Sequence, residues 1–174
     1  MSNCGTVVSS RGTRNGHLAG KYLTFALGTE EFGLEILKVR EIIGYMDITA
    51  VPKTPQEVKG VINLRGQVIP VVDMRTKFGL QDMEITDQTC IIVVEVTRQA
   101  EAFSVGIIVD RVHEVLDIDD EAIEPAPEFD AQTDTAFILG MGKINNSVKI
   151  LLDIDAVLGN EVCRDMLTPN EAAV

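Results

Sequence analysis

Two histidines, three cysteines and one dense run of acids are the residues in this chain whose types could do chemistry. A hydrolytic triad needs a positioned base, and His17 and His113 are the imidazoles on offer. His17 lies in a polar stretch. His113 lies in an alternating apolar run, where a strand histidine facing solvent or satisfied in place is the plainer reading. Cys4, Cys90 and Cys163 are odd in number and lack metal-ligand spacing. Cys90 opens CIIVVEV and reads as a small buried hydrophobe rather than a reactive thiol. In DIDDEAIEPAPE, Asp117, Asp119, Glu121 and Glu128 are spaced as a calcium loop could use them. However, Ala122 stands where such a loop turns on glycine, and Pro125 and Pro127 break the exit helix. There is no nucleophile elbow, phosphate loop or dinucleotide fingerprint. The chain therefore reads as non-enzymatic, with no catalytic residue, metal or cofactor expected.

Binding remains as the function class, and charge narrows it. A formal charge of −12 over 174 residues argues against nucleic acid, because phosphates need a basic face. The apolar runs are strand-sized, with no signal peptide or membrane span, so a cytoplasmic protein without direct membrane insertion is expected. One cation stands apart. In GVINLRGQVIPVVDMRTKFGL, Gly60 to Leu80, Arg65 sits between two apolar runs at the tip of a hairpin. A guanidinium there can grip carboxylates in two places and anchor an interface, or it can simply keep a turn solvated.

The elements that must carry Arg65 are legible from an internal repeat. Shifted by eighty positions, Gly60–Leu80 lands on GMGKINNSVKILLDIDAVLGN, so that Gly60, Val68, Asp73 and Gly79 recur as Gly140, Val148, Asp153 and Gly159. A second echo relates FGLEILKVREII to VGIIVDRVHEVL, matching Gly33, Val39 and Glu41 with Gly106, Val112 and Glu114. Two related strand-rich units follow, one over 20–82 and one over 83–160, between tails at 1–19 and 161–174. The N-terminal tail, rich in Ser, Gly, Asn and Arg, is expected to be disordered.

Within the units, alternation in YLTFAL puts Tyr22, Thr24 and Ala26 on one face and Leu23, Phe25 and Leu27 on the other, one in and one out. Asn145-Asn146 suits a tight hairpin turn; Arg65-Gly66 is read as a type I turn with Gly66 in a bulge. Thr54-Pro55-Gln56-Glu57 predicts a short capped helix stopping at Gly60. Asp73 and Asp153 predict N-caps of one or two helical turns ended by Gly79 and Gly159. Short strands need their edges hidden, so the fold class is mainly all-β: two small related barrels of about five strands each, side by side.

The strings KGVINLRGQVIPVVDMRTKFGL, EEFGLEILKVREII, ITAVPKTPQEVKG and IEPAPEF together resemble the CheW family of chemotaxis coupling proteins. The resemblance spans about residues 20 to 160, and the G-x-x-N-L-R-G-x-x-x-P-x-x-D-x-R string from Gly60 to Arg75 is its most specific part. It implies two interleaved five-stranded β-barrels whose terminal strands are exchanged between units. It also implies a scaffold rather than an enzyme. Such proteins bridge the signalling tip of a chemoreceptor (a methyl-accepting chemotaxis protein) to the regulatory domain of a CheA-type histidine kinase, in arrays that can include other CheW copies. On that resemblance Val39, Glu41, Gly60 and Arg65 would be receptor-binding and Phe129 kinase-binding. Arg65 is expected to pair with Glu41 and shape the receptor-facing surface. The alternatives are a CheW-like adaptor of a non-motility chemosensory pathway, or a small hydrolase with an unrecognised carboxylate site, which a displaced carboxylate in a deep pocket would favour.

Overall fold

The structure is a computed structural model that describes residues 19–81, 84–98, 100–125 and 137–158. Its strands are β1 (Gly20–Leu27), β2 (Glu30–Glu35), β3 (Val39–Gly44), β4 (Val58–Leu64), β5 (Gln67–Asp73), β6 (Cys90–Arg98), β7 (Glu101–Val109), β8 (Arg111–Ile118), β9 (Ile123–Glu124), β10 (Ile138–Ile144) and β11 (Ser147–Leu152). Two helices, α1 (Met74–Lys77) and α2 (Ile154–Leu158), follow β5 and β11. One sheet has the order β8-β1-β2-β11-β10-β9 and the other β3-β6-β7-β5-β4. Each sheet thus takes two leading strands from one repeat and the later strands from the other. The interleaving is reciprocal.

Repeat equivalence reaches into the irregularities. The β4–β5 ladder slips between Val58 and Gly60, and the β10–β11 ladder slips between Ile138 and Gly140, eighty positions on. Asp73 N–H donates to Glu57 O and Asp153 N–H to Phe137 O, each at 2.8 Å. In the parallel pairs, Val71 faces Gly106 and Leu151 faces Gly33. A Cβ on Gly33 would come 2.9 Å from Leu151 Cδ2, and one on Gly106 would come 2.9 Å from Ile91 Cγ2. Both glycines are there because another side chain occupies the space.

Each sheet curls. A flat sheet of six strands would hold its outer members roughly 24 Å apart at ~4.8 Å per strand. Yet Ile118 of β8 and Ile123 of β9 are joined by five Cα steps, which reach about 18 Å at most. The second sheet closes similarly: Gly44 ends β3 and Thr49, five steps later, bridges antiparallel to Val61 of β4. Curling gives each strand an inner and an outer face. Ile62, Ile69, Val71, Ile91, Val93 and Ile108 fill one barrel, while Tyr22, Ile118 and Leu151 lie in the other. The largest cluster lies between the sheets, where Leu23, Phe25 and Leu34 meet Ile92, Val94 and Ile107. Phe25, Phe32, Phe78 and Phe137 stack there with centroids 5.5–5.7 Å apart.

That arrangement corrects the reading of β1. Both of its faces are buried, since one looks into a barrel and the other into the inter-sheet core. Thr24 is satisfied at a bulge, its Oγ1 donating to Glu114 O at 2.8 Å and accepting from Glu114 N at 3.2 Å. Burial, more than the nearby Glu35 and Asp120 carboxylates, pushes the Tyr22 phenol up to about 12. Cys90 is only half-buried, against the inter-sheet core.

Two local predictions also change. The helix expected at Thr54 is a turn, with Val58 N–H donating to Pro55 O at 3.0 Å and Thr54 Oγ1 turned back to Val51 O. Glu57 O is already committed to Asp73 N–H, so the chain must be extended by Val58, and one isolated turn is too short to nucleate a helix. The Arg65-Gly66 loop has both residues at positive φ, +52° and +83°, as do Asn145 and Asn146. It is a two-residue mirror-image turn, whose twist matches the strands, and Asn63 Oδ1 accepts from Gly66 N at 2.9 Å to hold it. The N-cap at Asp73 is present, its side chain accepting from Arg75 N. Gly79 at φ +76° ends α1, with Leu80 N–H on Arg75 O and Gly79 N–H on Thr76 O. Asp153 takes Ala156 N–H on its side chain at 3.3 Å, whereas Gly159 lies outside the described residues.

Both chain crossings between sheets are pinned by ion pairs. Where β7 passes to β8, Asp110 receives Arg75 Nε at 2.8 Å and Nη2 at 2.6 Å, and also Gly28 N at 2.7 Å. Arg75 Nη1 donates to Gln81 O as well. Where β2 passes to β3, Lys38 Nζ donates to Asp155 Oδ2 at 2.7 Å, and Asp155 Oδ1 accepts from Thr97 N. Arg75 and Asp155 are repeat equivalents with opposite charge.

Arg75 and Asp110 are nearly buried, with side chains 10% and 19% exposed. Hydrogen bonding from Arg75 holds the Asp110 carboxyl below its usual range, outweighing the opposing effect of burial, with the Gly28 amide assisting. The unfolded chain therefore binds that proton more readily. This stabilisation is present above about pH 4 and is lost as pH falls through the lowered native value. Asp110→Ala is expected to cost roughly 3 to 5 kcal/mol, because it leaves the nearly buried Arg75 guanidinium without its carboxylate. Urea midpoints measured from about pH 6 downwards should fall less steeply for that variant than for the wild type.

Candidate functional site

Glu41 lies on β3, and Arg65 occupies the tip of the β4–β5 hairpin. The two are not hydrogen-bonded neighbours through their strands, since β3 and β4 are the outer members of their sheet. Curling of the barrel brings them together. Arg65 Nη2 donates to both carboxylate oxygens of Glu41, at 2.6 Å to Oε1. The expected pairing is thus present. Arg65 is 70% exposed and Glu41 28%, so the guanidinium keeps a solvent-facing edge for another carboxylate. The bond from Glu41, then its charge, raises the Arg65 pKa, and an arginine is a permanent cation in any case.

A recess surrounds this pair, lined by Arg40, Leu64, Gln67, Ile69, Val93 and Ser104. Arg40 and Gln67 were missed by sequence reasoning. Their only signal was position, one residue before Glu41 and one after the Arg65-Gly66 turn. Arg40 is itself paired to Glu95 at 3.1 Å. Nearby in sequence, Leu37 is 91% exposed, a large apolar side chain without cover.

Val39 and Gly60 are placed differently. Val39 is half-buried and packs against the inter-sheet cluster, so it does not stand beside Arg65. Gly60 is buried at φ +146°, and a Cβ there would lie 2.0 Å from Thr49 O. Thr49 exchanges two 2.9 Å hydrogen bonds with Val61, which complete the barrel. Phe129 lies outside the described residues.

The other barrel carries a different cluster at its β2–β11 pairing. Lys149 Nζ donates to Glu31, and His113 Nε2 lies 3.3 Å from Glu31 Oε2. Lys149's hydrogen bond is the main cause lowering the Glu31 pKa. His113 is thus satisfied in place on a strand. Glu31 and Asp110, the carboxylates with displaced pKa values among the described residues, are both lowered by ion pairs, whereas an acid catalyst needs the opposite shift. Among the described residues, no group of three or more His, Cys, Asp or Glu is placed to hold a metal, and no helix is long and apolar enough to cross a membrane.

The described residues thus form two interleaved sheets, one of which carries the arginine-tipped hairpin. Residues 21–162 match the family model described as a CheW-like domain. The chain is 41% identical over 141 residues to the chemotaxis protein CheW of Klebsiella aerogenes, covering 81% of this chain and 82% of that one. It is 35% identical to the CheW of Bacillus subtilis, covering 81% and 88%. The crystal structure of the scaffolding protein TtCheW from Thermoanaerobacter tengcongensis superposes with a TM-score of 0.72 at 35% identity, over 83% of this chain and 95% of that one. The chain belongs to the CheW-like family.

Gly60→Ala is expected to cost at least about 2 kcal/mol, because the new methyl must displace the Thr49 carbonyl. Equilibrium denaturation checks this; a variant as stable as the wild type would mean that the barrel closes without the Thr49 bridge.

Proposed function

We propose that this chain is a non-enzymatic scaffold coupling the signalling tip of a chemoreceptor to the regulatory domain of a CheA-type histidine kinase. The observation that carries this reading is the Glu41–Arg65 pair. Two segments of the chain converge on one exposed, permanently charged and conformationally fixed point, beside a recess without catalytic groups. Membership of the CheW-like family and likeness to chemotaxis proteins and a scaffolding protein support it. In this reading the chain works in the cytoplasm and is recruited to membrane-associated receptor arrays.

Glu41 and Arg65 meet the receptor directly. Val39 and Gly60 contribute by holding β3 and β4 in the positions that let the pair form. Phe129 is assigned to the kinase domain or to other CheW copies, which would give the scaffold a second contact. Two weak contacts on one rigid body can build a tight lattice through effective concentration.

Co-sedimentation with a receptor signalling fragment and a CheA-type kinase tests this, with kinase activity read in parallel. The wild type should form the ternary assembly. Arg65→Ala removes the charge, and Arg65→Asn removes it while keeping a residue that tolerates positive φ. Both should retain wild-type melting and lose receptor control of the kinase. If Arg65→Ala melts early but Arg65→Asn is wild-type in every assay, Arg65 serves the turn rather than the interface. A wild type that binds neither partner would end the coupling reading.

A further inference from the structure

The two crossings between sheets are built alike but held unequally. At the β7–β8 crossing the ion pair is bidentate and nearly buried, and Asp110 also takes the Gly28 amide. At the β2–β3 crossing a single Lys38–Asp155 contact does the equivalent work, with side chains 27% and 33% exposed. The crossing itself, the 3₁₀ turn Ile36–Lys38, has no side-chain cap and no fully buried residue. Immediately beyond it, β3 slips register against β6 between Val39 and Glu41. The direction in which β3 presents Glu41 therefore depends on where Lys38 is anchored, three residues earlier. Asp155 supplies that anchor from α2, at the end of the other sheet, and its second oxygen takes Thr97 N of β6.

We infer that Lys38 and Asp155 are positioning residues for the receptor-facing surface: their ion pair sets β3, and through it the Glu41–Arg65 pair. This rests on the coupling reading above. The Arg75–Asp110 pair at the other crossing holds the fold instead, since its loss leaves a nearly buried cation without its carboxylate. The equivalent helix positions 75 and 155 thus anchor the two crossings through different partners, one as a structural clamp and one as an adjustable contact.

The test compares Lys38→Gln, Asp155→Asn, the double variant and Lys38→Arg. Asparagine keeps an acceptor for Thr97 N while removing the charge. Each of the two neutralising variants should weaken binding to the receptor fragment by roughly fivefold. Lys38→Arg should bind like the wild type. Because the residues act as a pair, the double variant should lose no more than the worse single. Melting temperature and binding to the isolated kinase regulatory domain should not change, which a merely structural role would not allow. Additive losses in the double variant would overturn the inference, because Lys38 would then be touching the receptor itself. Equal losses toward receptor and kinase domain, or variants indistinguishable from a receptor-binding wild type, would overturn it too. A wild type that fails to bind the receptor fragment would instead strike the coupling reading.

Discussion

Parallel pairing of β2 with β11 and of β5 with β7 is the constraint on which the rest of this structure depends. Parallel neighbours cannot be joined by a hairpin, so each pairing must bring together strands that are distant in the chain. Here the distance is met by exchange, each repeat lending its leading pair of strands to the other. Close packing at the two junctions then demands Gly33 and Gly106, whose missing side chains leave room for Leu151 and Ile91. The exchange also forces the chain to cross between sheets twice. Both crossings need anchoring, and the ion pairs at Asp110 and Lys38 supply it.

A surface follows from the same geometry. Glu41 and Arg65 belong to strands at opposite ends of one sheet's order, and only closure of that sheet brings their side chains into contact. Closure in turn relies on Gly60 admitting the Thr49 carbonyl. Positive φ at Arg65 fixes the tip in the one turn whose twist fits the hairpin. The charge that a partner would meet is therefore placed by backbone contacts several residues away from it.

Much of this was legible in the chain because duplication copies backbone requirements along with side chains. The shift of eighty residues anticipated matching caps at Asp73 and Asp153, and the upstream echo at its own offset paired Gly33 with Gly106, the glycines found opposite the parallel strands. Its failures have physical causes. Alternation in Tyr22–Leu27 suggested one wet face, but a strand shared between a barrel and an inter-sheet core has none. Thr54–Glu57 carried good capping chemistry, yet the ladder bond from Asp73 to Glu57 overrode it. Among site residues, the Glu41–Arg65 pair was foreseeable through the family resemblance. The Lys38–Asp155 contact was not: repeat comparison sets Arg75 against Asp155, opposite charges that look like a mismatch, and sets Lys38 against Arg111 rather than Asp110.

Reciprocal exchange also governs the order in which this molecule can come into being on the ribosome. β1 and β2 can pair with each other as soon as they emerge, but the strand that covers the open side of β2 is β11, with Lys149 opposite Glu31. At bacterial-like synthesis rates of ~5–20 residues per second, the intervening stretch takes roughly 6 to 24 s to make. Throughout that interval Phe25, Phe32 and Leu34 have no permanent cover, and the nascent hairpin carries an unpaired edge. Glu30, Glu31 and Glu35 on β2 are well placed as guards: three like charges on an unfinished edge discourage two nascent chains from pairing with one another before Lys149 arrives.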